Sequence, residues 1–444
     1  MAAAPSPSPS VPACGDLPAA VSAFADAFVD FAVSGIFFPT SASSSSPPPP
    51  PTTPTTFLPS PSRLVAIGDL HGDLPKSLSA LRLAGLVPPS SSLDSSPSSS
   101  AAASPSSSAA ASASWAAGPT LAVQLGDILD RGGDELRLLY LLRRLALSAE
   151  ARGGAFLPIL GNHEVMNVSG DFRFATPQGL QEFSAWAGWY RAGLAIKRRC
   201  GEHLDPQPRN PFLGVPKSFP GVKPEFWDGM RSRLAALRPD GPIARRFLAD
   251  LPTVLVVGDS VFVHGGLLEA NVEYGLERIN AEVSEWIRGE GGDNARAPEY
   301  VRGRDAVVWL RRFSDGFDCD CKRLEGVLGM IPGARRMVMG HTIQTVGINA
   351  VCSAQAVRVD VGLSRGCGNG LPEVLEINAG GTEVRVITTP PSEAWMYRKQ
   401  EVEKAAAAVT EKSGDVKEGL ALLVRESHGL KEFSFLQTVR HHSQ

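Results

Sequence analysis

Five times along this chain a short apolar run stops against glycine and gives way to aspartate, asparagine or histidine. "VAIGDLHGD" (65–73) presents Asp69 and His71, and "LAVQLGDILDRGG" (121–133) presents Asp127, then Asp130 and Arg131. "LPILGNHEVMN" (157–167) presents Asn162 and His163, "VFVHGG" (261–266) presents His264, and "MVMGHT" (337–342) presents His341. Short β-branched runs of this kind read as buried strands. Glycine at their ends allows sharp turns and close backbone approach. Ligands of open α/β sheets gather at the carboxyl ends of strands. Side chains at i and i+2 of an extended chain share a side, so Asp69 and His71 are expected to face one spot. One such end alone is usually a turn or a satisfied core group. Five ends that hold four of the eight histidines point instead to a shared set of oxygen and nitrogen donors for metal.

Between these ends, strands and helices alternate. Strand 64–68 is followed by "DLPKSLSALRLAGL" (73–86), where Leu74, Leu78 and Leu81 fall at helical spacing and Gly85 supplies a stop. "ELRLLYLLRRLAL" (135–147) is a further helix, 178–250 is mostly helical, and "TVLVVGDSVFVHGG" (253–266) is a hairpin turning at Gly258-Asp259. Three more strand segments follow after residue 335, which predicts a layered α/β sandwich of sheets. Two low-complexity segments, 39–62 and 88–114, cannot bury enough apolar surface to order, and the second is a surface-loop insertion. The expected organisation is an N-terminal helix and Ser/Pro-rich linker (1–62), a core at 63–390 with insertions at 88–114 and 178–250, and a helical tail at 391–444.

Composition narrows the function classes. The chain of 444 residues is 43% hydrophobic and 20% charged with net charge −3, so no overall basic field exists to hold nucleic acid. "LPAAVSAFADAFVDFAVSGIFF" (17–38) is long enough for a membrane span, but Asp26 and Asp30 would each cost roughly 2.5–3.5 kcal/mol near a bilayer centre. It is expected to be an amphipathic helix packed on the protein, with Phe24, Phe28 and Phe31 away from the aspartate face. Six scattered cysteines without paired C-x-x-C spacing fit free thiols in a reducing compartment, with redox control open for Cys319/Cys321 and Cys352/Cys367. No Arg or Lys precedes Arg63, so no basic leader is visible; the cytosol is expected, with the mitochondrial intermembrane space as the alternative.

The donor set suits phosphoester chemistry. Two divalent ions can activate a water and neutralise phosphoryl oxygens, and a carboxylate is a natural bridge between them. Imidazole with carboxylate or amide oxygen suits Mn, Fe or Zn better than Ca. The ordered motifs G-D-x-H-G, G-D-x-x-D-R-G, G-N-H-E, H-G-G and G-H-T resemble those of the PPP family of metallophosphoesterase-type protein phosphatases. Within that family the chain resembles the bacterial-like, Shewanella-like branch of plants, in its non-chloroplast type. The resemblance covers about 63 to 390 and implies a calcineurin-like β-sandwich flanked by helices, in α/β/β/α layers. It further implies a metal-dependent phosphatase acting on phosphorylated Ser, Thr or Tyr through water activated by two metals, Mn²⁺ in the first instance. Carried over by position, Asp69 and His71 would hold the first metal, Asp127 would bridge, and Asn162, His264 and His341 would complete the second. His163 would be the proton donor paired with Asp130, and Arg131 would bind phosphate, with Arg311 preferred over Arg312 as its companion. Two other readings stay open: a diadenosine polyphosphate or other small-phosphoester hydrolase, and a phospho-binding pseudophosphatase.

Overall fold

In the computed structural model, the strand Arg63–Ile67 divides its side chains between two cores. Leu64 and Ala66 face a layer between two sheets, whereas Val65 and Ile67 face helices. This period-2 alternation is what allows a sheet to be covered on both sides. The structure describes residues 18–38, 53–89, 113–200, 210–290, 296–316 and 319–391. Residues Met1–Ile387 form one compact unit and Thr388–Gln444 a second.

In chain order, β1 is Phe57–Leu58, β2 Arg63–Ile67, β3 Leu121–Gln124, β4 Ala155–Pro158, β5 Val254–Val257 and β6 Ser260–Val263. They are followed by β7 (Arg336–Met339), β8 (Asn349–Val351), β9 (Ala356–Arg358), β10 (Glu373–Asn378) and β11 (Glu383–Thr388). One sheet has the order β11-β10-β2-β3-β4 and the other β1-β5-β6-β7-β9-β8. Strands β2, β3 and β4 are parallel, as are β6, β7 and β9. Leu64, Ala66, Leu121 and Val123 meet Leu255, Phe262, Val338 and Val357 in the layer between the sheets.

Helices α2 (Leu74–Leu83) and α3 (Glu135–Glu150) cover the first sheet, against which Leu78, Leu81, Leu138 and Leu142 pack. Helices α8 (Leu276–Arg288) and α9 (Cys321–Gly329) bring Leu276, Ile279, Leu324 and Val327 against Val254, Val263 and Met337 of the second. The layers are therefore α/β/β/α. The remaining helices are α1 (Pro18–Ser34), α4 (Asn162–Val168), α5 (Pro177–Cys200), α6 (Trp227–Leu237) and α7 (Glu269–Tyr274).

Two expectations from the sequence are corrected here, and the packed side of the N-terminal helix is added. Within the Ser/Pro/Thr segment 39–62, residues 53–62 are ordered: Phe57–Leu58 adds a parallel strand beside Val256–Val257. The β-branched and aromatic residues of "TTFL" suit a sheet edge, and Thr56 is buried. The N-terminal helix packs by the side that carries Asp30. Asp30 is buried, with Arg246 donating to its two oxygens at 2.5 and 2.6 Å and the Tyr140 hydroxyl at 3.0 Å. That bidentate pair offsets the cost of burying the carboxylate, while Phe24, Phe28 and Phe31 are 65%, 37% and 56% exposed. Finally, Cys321 and Cys352 form a disulfide, so they are not free thiols; Cys319 and Cys367 are. The bond joins the start of α9 to the turn after β8, and burial pushes the Cys367 thiol up to about 12. Residues 90–112 of the Ser/Ala insertion and 392–444 of the tail lie outside the described residues.

A single buried side chain anchors the entry of β5. Asn280 of α8 accepts from the Thr253 and Val254 amides at 2.8 and 3.0 Å. Its amide donates to the Thr56 hydroxyl and the Val254 carbonyl, both at 2.8 Å. Truncation strands these backbone groups away from water. Asn280→Ala is expected to lower stability by about 2–4 kcal/mol in urea unfolding; a midpoint equal to that of the unsubstituted protein would show the clamp to be dispensable.

Candidate metal centre

The parallel strands of both sheets release their chains at one place. After β2 come Asp69 and His71, after β3 Asp127, Asp130 and Arg131, and after β4 Asn162 and His163 at the start of α4. After β6 comes His264, and after β7 His341. Extended geometry is not what joins Asp69 to His71, because β2 ends at Ile67 and His71 has φ 45°. The left-handed region is costly for residues with a side chain. Asp127 (φ 53°), Asp130 (68°), Arg131 (62°) and His341 (67°) occupy it as well. Tight turns, not strands, aim these groups inward. Gly161 is required there, since an added Cβ would collide with the Asp127 carboxylate and amide.

Asp127 is the hub. Its Oδ2 lies 3.3 Å from His264 Nε2, 3.6 Å from His71 Nε2 and 3.8 Å from His163 Nε2. Its Oδ1 accepts from the His163 amide at 3.0 Å. Two groups of donor atoms converge, each within 4.8 Å: His71, Asp127 and His163, and Asp127, His264 and His341. Asp127 belongs to both. Asn162 Oδ1 joins the second group, 2.9 Å from His264 Nε2. Asp69 stands beside it, with Oδ1 3.9 Å from His264 Nδ1 and Oδ2 accepting from the His341 amide at 3.2 Å.

Backbone carbonyls orient the imidazoles. His71 Nδ1 lies 3.0 Å from the Leu129 carbonyl, His264 Nδ1 2.6 Å from that of Leu125, and His341 Nε2 3.1 Å from that of Trp309. A ring nitrogen that donates to a carbonyl leaves the other free as a ligand, an arrangement typical of metal-binding histidines. The nitrogens left to face the cluster are thus Nε2 of His71 and His264 and Nδ1 of His341. His163 differs: its Nδ1 lies 2.6 Å from Asp130 Oδ2, a carboxylate partner instead of a carbonyl.

The electrostatics of this cluster call for added positive charge. Burial, then Asp360 and Asp127, push the Asp69 carboxyl well above the usual range. Burial would raise Asp127 too, but His264, His163 and His71 hold it well below. Burial lowers His71 to about 4, and burial with the neighbouring His264 lowers His341 to about 2, so both rings are neutral donors. Neutral imidazoles at His71 and His341 beside buried carboxylates match the donor chemistry of divalent Mn, Fe or Zn, while against burial Asp127 raises His264. The residues present fit a pair of such ions sharing Asp127.

Asp69, His71, Asp127, Asn162, His163 and His341 line one cavity of about 340 Å³, together with Arg131 and Arg311. His264 and Asp130 sit fully buried behind it. Arg131 has its guanidinium 4.8 Å from the Phe174 ring, and its buried Nε has no hydrogen-bond partner. Arg311 donates to the His341 carbonyl and the Thr342 hydroxyl, both at 2.9 Å. It reaches the cavity from just beyond a turn at residues 307–309. Arg312 lines a neighbouring groove.

Four residues of the site were not singled out from the sequence. Glu164, the last letter of G-N-H-E, accepts from the amides of Asp127, Ile128, Leu129 and Gly161 at 2.8–3.0 Å and so holds the Asp127 loop. Its signal was present in the motif. Asp360 follows β9 just as the other donors follow their strands, and "VRVD" could have revealed it. Phe174 covers His163 at 5.1 Å between ring centres, and Arg233 reaches Asp130 from α6; neither carries a local signal.

The family model described as calcineurin-like phosphoesterase matches residues 62–343. Shewanella-like protein phosphatase 2 of Arabidopsis thaliana is 49% identical over 93% of this chain and 95% of its own length. An uncharacterised protein of Schizosaccharomyces pombe is 26% identical over 73% of this chain and 79% of its own. The crystal structure of a cold-active protein-tyrosine phosphatase from a psychrophilic Shewanella aligns with TM-score 0.48 at 16% identity, covering 80% of this chain and 89% of that one. With its donor-bearing loops inside the matched span, this chain belongs to the calcineurin-like phosphoesterases, in the branch of the Shewanella-like protein phosphatases.

Proposed function

We propose that this chain is a metal-dependent phosphoprotein phosphatase, hydrolysing phosphoester bonds of phosphorylated side chains. The observation that carries the reading is Asp127 shared between two groups of imidazoles, in a cavity that Arg131 and Arg311 also line. Two divalent ions, Mn²⁺ first among them, would supply Lewis acidity and an activated water for attack on phosphorus. Asp69 and His71 would hold the first ion, Asn162, His264 and His341 the second, and Asp127 would serve both. Arg131 and Arg311 receive the phosphoryl oxygens, for which the guanidinium fork is well shaped. Asp130 fixes Nδ1 of His163, which turns Nε2 towards the cavity to protonate the leaving oxygen.

Purified protein with Mn²⁺, assayed on paired phosphoserine, phosphothreonine and phosphotyrosine peptides and on diadenosine tetraphosphate, tests this reading. Turnover of phosphopeptides is expected. Hydrolysis of the dinucleotide alone, or binding of phosphopeptides without turnover, would replace it with one of the other two readings of the motifs.

The Cys321–Cys352 bond favours an oxidising compartment over the cytosol, where such bonds are reduced. Fractionation with thiol alkylation before reduction checks it; a cytosolic pool with both thiols free would restore the first reading.

Asp127→Asn removes the charge shared by both ions. Loss of an outer partner of a metal ligand typically costs 10–100-fold, so activity should fall by more than about 100-fold here, with bound metal reduced. Two metals at normal activity in this variant would rule out a bridging role.

His163→Asn is expected to keep its metals and to lose on the order of 10²–10⁴ in rate on phosphopeptides and phenyl phosphate. The loss should shrink on para-nitrophenyl phosphate, whose leaving group needs little protonation. Equal losses on all three substrates would assign His163 another task.

A further inference from the structure

Asp130 is fully buried, and its carboxylate is held from three directions. Oδ2 faces His163 Nδ1 at 2.6 Å and accepts from the Asn167 amide at 3.0 Å. Oδ1 accepts from Arg233 Nη2 at 2.8 Å. Arg233 comes from α6, inside the helical insertion 178–250, and is itself fully buried. Its Nε donates to Asn167 Oδ1 at 2.7 Å. Nη1 and Nη2 donate to the two oxygens of Glu135 at 2.8 and 2.7 Å. Its guanidinium lies 4.7 Å from the Phe183 ring and 5.6 Å from that of Phe172. Glu135 in turn accepts from the Asp130 amide at 2.7 Å. The space for Glu135 exists because Gly72 and Gly179 have no side chains: an added Cβ at either would collide with it.

We propose that Arg233 is the positioning residue of the proton-donating histidine. It acts through Asp130, fixing the rotation of that carboxylate and with it the plane of the His163 ring, and touches neither metal ligand nor substrate. Asn167 closes the arrangement, since its amide also donates to the His163 carbonyl at 2.8 Å. A carboxylate bonded only to His163 could rotate about its own axis; one gripped at both oxygens cannot. The insertion at 178–250 thus helps to set the proton donor and is not merely a surface addition. The inference rests on His163 as the leaving-group acid.

The test compares Arg233→Lys, Arg233→Met, Asn167→Ala and His163→Asn in the Mn²⁺-loaded full chain. Each is assayed on phenyl phosphate and para-nitrophenyl phosphate, with bound metal measured in parallel. Arg233→Met should lower kcat on phenyl phosphate by about 10–100-fold, as loss of a partner that orients a functional ligand does. KM and metal content should hold, and the loss should shrink to a few-fold on para-nitrophenyl phosphate. Arg233→Lys should restore part of the rate, and Asn167→Ala should give the same pattern more weakly. These two carry the test should Arg233→Met not fold. In a His163→Asn background, Arg233→Lys should cost nothing further, because groups acting as a unit are not additive. Equal losses on both esters, lost metal, or an additive double variant would overturn the positioning role. If His163→Asn itself shows no leaving-group dependence, the acid assignment has failed instead.

Discussion

Buried negative charge at Asp127 is the constraint around which the rest of the structure is arranged. One of its oxygens has three imidazole nitrogens at 3.3–3.8 Å, and the residue is 2% exposed. An ionised carboxylate so placed is tolerable only with cations or strong donors around it. The protein meets this with loops from both sheets at once: His71 and His163 arrive from the β2-β3-β4 sheet, and His264 from the β5-β6-β7 sheet. Packing two sheets face to face and supplying ligands to one carboxylate are therefore parts of the same solution.

A second layer keeps those loops in place. Glu164 takes four backbone amides around Asp127, and Glu135 takes the Asp130 amide together with two bonds from Arg233. Each glutamate satisfies donors that the tight, left-handed turns would otherwise leave stranded away from water. Left-handed φ angles at His71, Asp127, Asp130, Arg131 and His341 mark where these turns store strain, and they coincide with the donor set. Backbone conformation thus carries much of the preorganisation that side-chain geometry displays.

What the sequence made legible follows from range. Strand ends and their donors are local patterns, and Asp69, His71, Arg131, Asn162, His163 and His341 line one cavity. The layered sandwich of sheets followed from the order of elements, and its four layers were what the family resemblance implied. Long-range partners left no such trace. Arg233 reads locally as one of several arginines on a helix, and only the tertiary structure brings it to Asp130, 103 residues away. The N-terminal helix was legible as amphipathic and packed, but not which side it packs by. The Arg246 and Tyr140 partners of Asp30, which decide that, lie 216 and 110 residues distant. Cys321 and Cys352, 31 residues apart, lacked any spacing signature.

The buried polar chain Glu135–Arg233–Asp130–His163 also bears on why this core tolerates charges at all. A buried ion pair seldom adds net stability, and replacing one with apolar groups of like shape is often neutral or better. Arg233 and its two carboxylates are each fully buried, yet nearly every donor and acceptor among them is matched at 2.6–3.0 Å. Such completeness is costly to assemble and gains little in stability. Its effect is to leave the His163 ring a single orientation, with one nitrogen committed to Asp130 and the other facing the cavity. A core built for stability alone would have placed leucines here; the charged chain makes sense as the price of a fixed imidazole.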